Sequence, residues 1–142
     1  RALIEVNLTS AFLVARAALP ALRAARGGLV LCSSSNGLNG GSALSGPAYA
    51  AAKAGLLNLA RYLAREWAAD GIRVNCIAPG PIDTPMLRRL DPGVRADLAR
   101  ALPLGRVGTA GEVAAAVRYL CSPGAAFLTG TVHNISGGLV ID

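Results

Sequence analysis

Lysine is all but missing from this chain. Its 142 residues carry 14 basic and 8 acidic side chains, yet Lys53 is the only lysine and every other basic residue is arginine. Aromatic residues are scarce at 4%, and the arginines run from Arg1 to Arg118 with no cluster larger than Arg88-Arg89. A net charge of +6 without a basic cluster or interleaved aromatics is a solvated surface, so no nucleic-acid partner is expected. No stretch reaches the roughly 18 uninterrupted apolar residues of a membrane span. Ala11 to Leu22 is broken by Arg16 and Pro20, so no membrane partner is expected either. No charged segment leads into an apolar core and a cleavage site, and no secretory signal is visible. The 3 cysteines, Cys32, Cys76 and Cys121, are odd in number and fit no zinc-ligand spacing. Cys32 and Cys76 sit in apolar runs, where cysteine acts as a small buried hydrophobe. The expectation is a chain without a metal site, in a reducing, cytoplasmic setting. The single histidine, His133, falls in an apolar segment and reads as packed rather than catalytic.

What the chain does have is aliphatic. Hydrophobic residues make up 53% of it, supplied by Ala, Leu and Val, and a length of 142 residues fits one domain. Apolar residues recur at helical spacing from about Leu3 to Ala24, ending before Gly27-Gly28. Leu29 to Cys32 is a short apolar run bounded by Gly and Ser, hence a buried strand. Residues 33–47 are rich in Ser, Gly and Asn and read as a loop. A second long helix spans about Ala48 to Ala69 and stops at Asp70-Gly71. Ile72 to Ile77 is another strand, broken by Pro79-Gly80-Pro81. Residues 84–101 read as one or two short helices with a turn at Asp91-Pro92-Gly93. Thr109 with Glu112 forms a capping box for a helix running to about Cys121, and Thr131 to Ile135 is a last strand. Strands that are continuous apolar runs, alternating with helices, indicate an α/β fold with a parallel sheet covered on both faces.

The place where the one lysine stands is informative. Tyr49-Ala50-Ala51-Ala52-Lys53 puts the phenol and the ammonium on one helical face, a turn apart. Arginine cannot replace a compact, movable point charge next to a reacting group. A nearby ammonium favours the ionised phenol, whose unperturbed pKa is near ~10, and a proton donor or acceptor working near neutrality needs such help.

These residues, with several others, resemble the short-chain dehydrogenase/reductase family, particularly members similar to 3-oxoacyl-carrier-protein reductases. The resemblance covers nearly the whole chain. It is carried by Val6-Asn7-Leu8-Thr9, by Cys32-Ser33-Ser34-Ser35-Asn36-Gly37, and by Tyr49 through Lys53-Ala54-Gly55. It continues through Arg73-Val74-Asn75-Cys76-Ile77-Ala78-Pro79-Gly80-Pro81-Ile82-Asp83-Thr84-Pro85, Pro103-Leu104-Gly105-Arg106, Gly111-Glu112-Val113-Ala114, and Leu128-Thr129-Gly130 through Gly137-Gly138.

The resemblance implies hydride transfer between a nicotinamide cofactor, NAD or NADP, and a small carbonyl or alcohol substrate. It implies Tyr49 as general acid or base, with Lys53 on the nicotinamide ribose and lowering the phenol's pKa. Ser34 would be the hydrogen-bond donor to the substrate oxygen, with Ser35 as the fallback because three serines stand together. The stretch from Ser34 to Tyr49 is longer than the commonest family spacing, and Ser42-Ala43-Leu44-Ser45 is the site of the extension. Asn7 would hold a water that links Lys53 to solvent. Pro79, Gly80, Ile82 and Thr84 would contact the cofactor's nicotinamide end, and residues 86–105 would be the substrate lid. The family's oligomers imply a homodimer or homotetramer through the two long helices, which are apolar on more than one face.

No Gly-x-Gly-x-x-Gly turn is present, and the first element is already a helix. The expectation is therefore a single partial domain over residues 1–142, the C-terminal half of a Rossmann-type doubly wound sheet with three strands and their helices. At roughly 30 residues per βαβ step, about 90 residues of the family's fold would precede it. The isolated piece is expected not to turn over, and its Leu29–Cys32 edge to be open. The alternative reading is a non-catalytic remnant of the family that serves as an assembly or binding module.

Overall fold

A computed structural model describes residues 1–141. The chain begins with one helical rod made of α1 (Ala2–Ile4), a π-helical turn (Glu5–Thr9) and α2 (Ser10–Ala25). Pro20 lies inside the rod, which ends where Arg26 takes the left-handed conformation (φ 48°, ψ 45°). Strand β1 (Gly28–Cys32) follows, then a short helix α3 (Ser35–Asn39) and the long helix α4 (Pro47–Trp67). Pro47 opens α4 at a position where a missing N–H costs nothing. After a 3₁₀ turn (Ala68–Asp70) come β2 (Arg73–Pro79) and the two-residue β3 (Ile82–Asp83). A 3₁₀ turn (Leu87–Arg89) and α5 (Pro92–Ala101) precede β4 (Gly108–Thr109), α6 (Ala110–Leu120) and β5 (Val132–Ile135).

The main sheet has three strands in the order β1-β2-β5, all parallel. β2 is central, and its residues Val74 to Ala78 are all buried. A strand buried on both faces needs the uninterrupted apolar run seen in the sequence. The core joins Val74 and Cys76 of β2 to Leu56, Ala60, Leu63 and Trp67 of α4. These α4 positions recur every three or four residues, which places them on one side of the helix. Leu8, Ala11, Ala15, Leu19 and Leu22 of the rod close over the same cluster. Asn75, 1% exposed, is a buried polar side chain in the middle of β2. It is satisfied on both ends: Nδ2 donates to Leu128 O, and Oδ1 accepts from Thr131 N and Oγ1. It thereby fixes the approach to β5.

The α/β class, the parallel three-stranded sheet and the long helices agree with expectation. Three local readings need correction. Residues 33–47 are not loop throughout, because Ser34 caps α3 through its side chain. β2 runs on to Pro79 instead of ending at Ile77, because Pro79 still pairs with Ile135 in the ladder with β5. A second, two-stranded parallel ladder, β3 with β4, joins Ile82 to Gly108 and Asp83 to Thr109. Pairs so far apart in sequence leave no periodic signal in two-residue strands.

The rod also revises the membrane argument. Arg16 and Pro20 interrupt the apolar run, yet Ala2–Ala25 has a mean hydropathy of 1.5 over its best window and is one helix long and apolar enough to cross a membrane. One stripe of it covers the core. On the other side Leu3, Val6, Phe12, Leu13 and Val14 are exposed, Val6 at 70%.

Candidate active site

The expected site residues come from four places in the fold: the π turn of the rod, the end of β1, the first turns of α4, and the end of β2 with the segment that follows it. Ser34 sits just past the C-terminal end of β1. Its extended backbone (φ −162°, ψ 156°) lets the side chain cap α3, and Oγ accepts from Asn36 N at 3.2 Å. Tyr49 and Lys53 are on the first turns of α4, where Lys53 Nζ lies 5.6 Å from the Tyr49 ring centroid. Lys53 Nζ donates to Cys32 O at 2.9 Å, so the ammonium is anchored on the last residue of β1. An ammonium has three donors, and this bond uses one of them.

Close approach of the backbones makes the arrangement possible. A Cβ on Gly37 would lie 2.7 Å from Lys53 C and 2.8 Å from Ala54 N. Only a glycine lets α3 rest against α4 here. A Cβ on Gly55 would likewise lie 2.8 Å from Leu8 Cδ2. The rod therefore presses on α4 two residues from Lys53, and it does so at the π turn that contains Asn7. Such turns often mark functional positions. The Asn7 amide itself turns back within the rod, with Nδ2 donating to Leu3 O at 3.0 Å.

The residues expected on the cofactor side lie at the neighbouring end of β2 and just beyond it. Cys32 pairs with Ile77, and Ser33 N donates to Ile77 O at 2.8 Å, so Pro79 and Gly80 emerge from β2 just beyond this level. Gly80 N donates to Ile135 O, and a Cβ there would meet Ser136 Cα at 2.8 Å. Ile82 is in β3. Thr84 starts the next segment, its Oγ1 accepting from Leu87 N at a long 3.5 Å. The carboxyl ends of parallel strands are where open α/β sheets take ligands. The Lys53 donors not used on Cys32 O and the hydroxyls near this edge are the polar groups that a ligand there would meet.

The segment between β3 and β4 is cinched at both ends. Asp83 receives a bidentate pair from Arg88 at 2.8 and 2.9 Å, and the Arg88 guanidinium holds its carboxyl below the usual carboxylate range. Arg106 grips Glu112 at 2.6 and 3.0 Å. Arg106 first, then the Thr109 N–H and hydroxyl, bring the Glu112 pKa down to about 2. The expected capping box is present, with Thr109 and Glu112 satisfying each other's first-turn groups. A cavity of about 330 Å³ lies under this segment, lined by Ile82, Leu104, Arg106, Glu112, Asn134 and Ser136 among others. It shares Ile82 with the expected site residues but does not include Ser34, Tyr49 or Lys53.

The structure thus brings Ser34, Tyr49 and Lys53 to one end of β1 and α4, and sets Pro79, Gly80 and Ile82 at the end of β2. Asn7 is on a neighbouring helix without a direct bond to Lys53. His133 is half-buried in β5, bonded through Nε2 to Thr131 Oγ1 at 2.7 Å. Sequence reasoning missed the main-chain carbonyl of Cys32 and the Ser33 hydroxyl, which donates to Lys53 O at 2.7 Å. Adjacent serines carry no mark of which faces which helix.

A family model described as Enoyl-(Acyl carrier protein) reductase matches residues 1–140. The chain is 40% identical over 141 residues to an uncharacterised short-chain type dehydrogenase/reductase of Sinorhizobium fredii, covering 98% of this chain and 56% of that protein. It is 42% identical over 140 residues to the 3-oxoacyl-[acyl-carrier-protein] reductase of Escherichia coli, covering 96% of this chain and 56% of that one. The crystal structure of a 3-oxoacyl-[acyl-carrier protein] reductase from Brucella melitensis superposes with a TM-score of 0.90 at 36% identity, over 96% of this chain and 51% of that one. The chain spans about half the length of the relatives it matches.

Proposed function

The chain belongs to the short-chain dehydrogenase/reductase family, and from that premise we propose that it carries the reacting side chains of an oxidoreductase that moves a hydride between NAD or NADP and a carbonyl or alcohol. The observation that carries this reading is the Tyr49–Lys53 pair, a turn apart on α4, with Lys53 tied to the end of the strand that leads into Ser34. The nicotinamide nucleotide, when bound, supplies or accepts the hydride.

The protein's own part is proton transfer and positioning. Tyr49 gives its phenolic proton to the nascent alkoxide during reduction and takes it back during oxidation. The Ser34 hydroxyl donates to the same oxygen. The remaining Lys53 donors hold the ribose hydroxyls, with Pro79, Gly80, Ile82 and Thr84 along the nicotinamide. Asn7, at the π turn, holds a water between Lys53 and solvent. The segment from Thr84 to Val107 covers the substrate. The related 3-oxoacyl-[acyl-carrier-protein] reductases make a 3-oxoacyl thioester the first substrate to try.

The test is nicotinamide-dependent reduction of small ketones and 3-oxoacyl thioesters by the protein that contains this chain. Tyr49→Phe is expected to lower kcat by about 10²–10⁴-fold, the usual worth of a general acid; undiminished turnover ends the reading. Exposed apolar positions on the rod support a further proposal, a homodimer or homotetramer in which this face meets a second copy. They equally favour the second functional reading, an assembly module without turnover. Activity that is absent in the wild type while self-association persists selects that one.

A further inference from the structure

We propose that Ser33 is a positioning residue of this site, holding Lys53 from behind while Ser34 next to it serves the substrate. The inference rests on the reading of Tyr49 and Lys53 as the reacting pair. Ser33 is 4% exposed. Its backbone N–H continues the β1–β2 ladder into Ile77 O at 2.8 Å. Its hydroxyl leaves the strand and donates to Lys53 O at 2.7 Å. The neighbouring residue, Cys32, accepts from Lys53 Nζ at 2.9 Å. Two consecutive residues at one strand end thus grip the lysine at its backbone and at its ammonium.

The hydroxyl is not required for the helix. A mid-helix carbonyl already accepts from the N–H four residues on, so Lys53 O does not depend on Ser33 for a partner. A buried serine could also have satisfied itself on its own backbone. Instead its hydroxyl bridges strand and helix beside Gly37, where an added Cβ would lie 2.7 Å from Lys53 C. Rotation of α4 about its axis, the movement that would swing Tyr49 and Lys53 off target, breaks the Ser33 and Cys32 bonds together. The three successive residues then divide the work. The Cys32 carbonyl orients the ammonium, the Ser33 hydroxyl fixes the helix, and the Ser34 hydroxyl is left for the substrate.

Four variants, Ser33→Ala, Ser33→Thr, Ser33→Cys and Tyr49→Phe, separate this from a packing role in nicotinamide-dependent reduction. Ser33→Ala is expected to lower kcat about tenfold or more, since small misplacements of a reacting group cost that much, with the substrate KM moved less than twofold. Ser33→Thr, which keeps the hydroxyl, is expected to recover most of kcat. If Ser33→Ala does not fold, the comparison of Ser33→Thr with Ser33→Cys decides, because both fill the site and only threonine offers a good donor. Equal kcat across Ala, Cys and Thr overturns the proposal while leaving the Tyr49 reading intact. Undiminished turnover in Tyr49→Phe, or none in the wild type, instead removes the reaction. The clamp is then judged by ¹⁵Nζ-lysine NMR, with the Lys53 signal identified by its loss in Lys53→Arg. That signal should shift in Ser33→Ala and return in Ser33→Thr, and no shift overturns it.

Discussion

Cys76 has no exposed surface in the middle of β2, and burial pushes its thiol up to about 11. Cys32 and Cys121 are exposed, and all three thiols are free. Since the thiolate is the nucleophile, two thiols of the native chain are expected to react quickly with a disulfide reagent at pH 8. The third should react only after denaturation. Three equal rates would show that β2 is not the sealed strand described. The contrast was half legible beforehand. The apolar runs marked Cys32 and Cys76 as equally buried, but Cys32 is the last residue of an edge strand and its side chain emerges. Tyr49 and Lys53 were legible because their spacing is a property of one helix. The partners of Lys53 were not, because the Cys32 carbonyl and the Ser33 hydroxyl meet it only through tertiary packing.

At the level of elements, glycines decide how closely helices approach. Gly37→Ala would press a methyl carbon on backbone atoms of α4 at 2.7–2.9 Å, and backbone does not yield as a side chain does. A destabilisation of about 1–3 kcal/mol is expected, the range for overpacking, read from denaturant midpoints. Gly111→Ala is the control. Its nearest neighbour is Thr109 Oγ1 at 3.8 Å, and alanine in a helix should be neutral or stabilising by up to about 1 kcal/mol. A control as damaging as Gly37→Ala would refute the close-approach account.

The Glu112 cap adds a pH dependence to α6. Its carboxyl is held down to about 2 from an ordinary 4.5, so its contribution is complete above about pH 4.5 and is lost as pH falls toward about 2. Arg106 stays charged throughout. The side chains are about half exposed, so the effect is modest. The thermal midpoint should fall between pH 5 and pH 2, and Glu112→Gln should flatten part of that fall. A slope unchanged by Glu112→Gln would assign it to other carboxylates. The cap was readable from Thr109 and Glu112 alone, because a capping box is local. The β3–β4 ladder beside it was not, since each strand is two residues long and exists only through the other.

On the scale of the whole chain, the β1 edge and the outer side of the rod are left uncovered among the described residues. β1 lies at one side of the sheet, and among the described residues its outer edge pairs with no strand. The rod exposes Leu3, Val6, Phe12, Leu13 and Val14 on the side away from the core. Apolar patches and open edges both draw partners. The chain is expected to sediment as a species larger than a monomer at micromolar concentration. Val14→Glu should reduce that mass if the rod is the contact; a mass that does not change assigns association to the β1 edge. The apolar faces of the long helices already imply such a surface, but only the fold shows which side of the rod remains uncovered.

The small ladder of Ile82–Asp83 with Gly108–Thr109 has a consequence of its own. Because the segment between them leaves and re-enters the fold at this two-rung ladder, its ends stay in place whatever lies between them. Doubling the length of such a closed loop costs only about 0.6 kcal/mol. The segment therefore behaves as an exchangeable cassette: its composition and length are free to change while the ladder that closes it, and the strand ends beside it, stay in place.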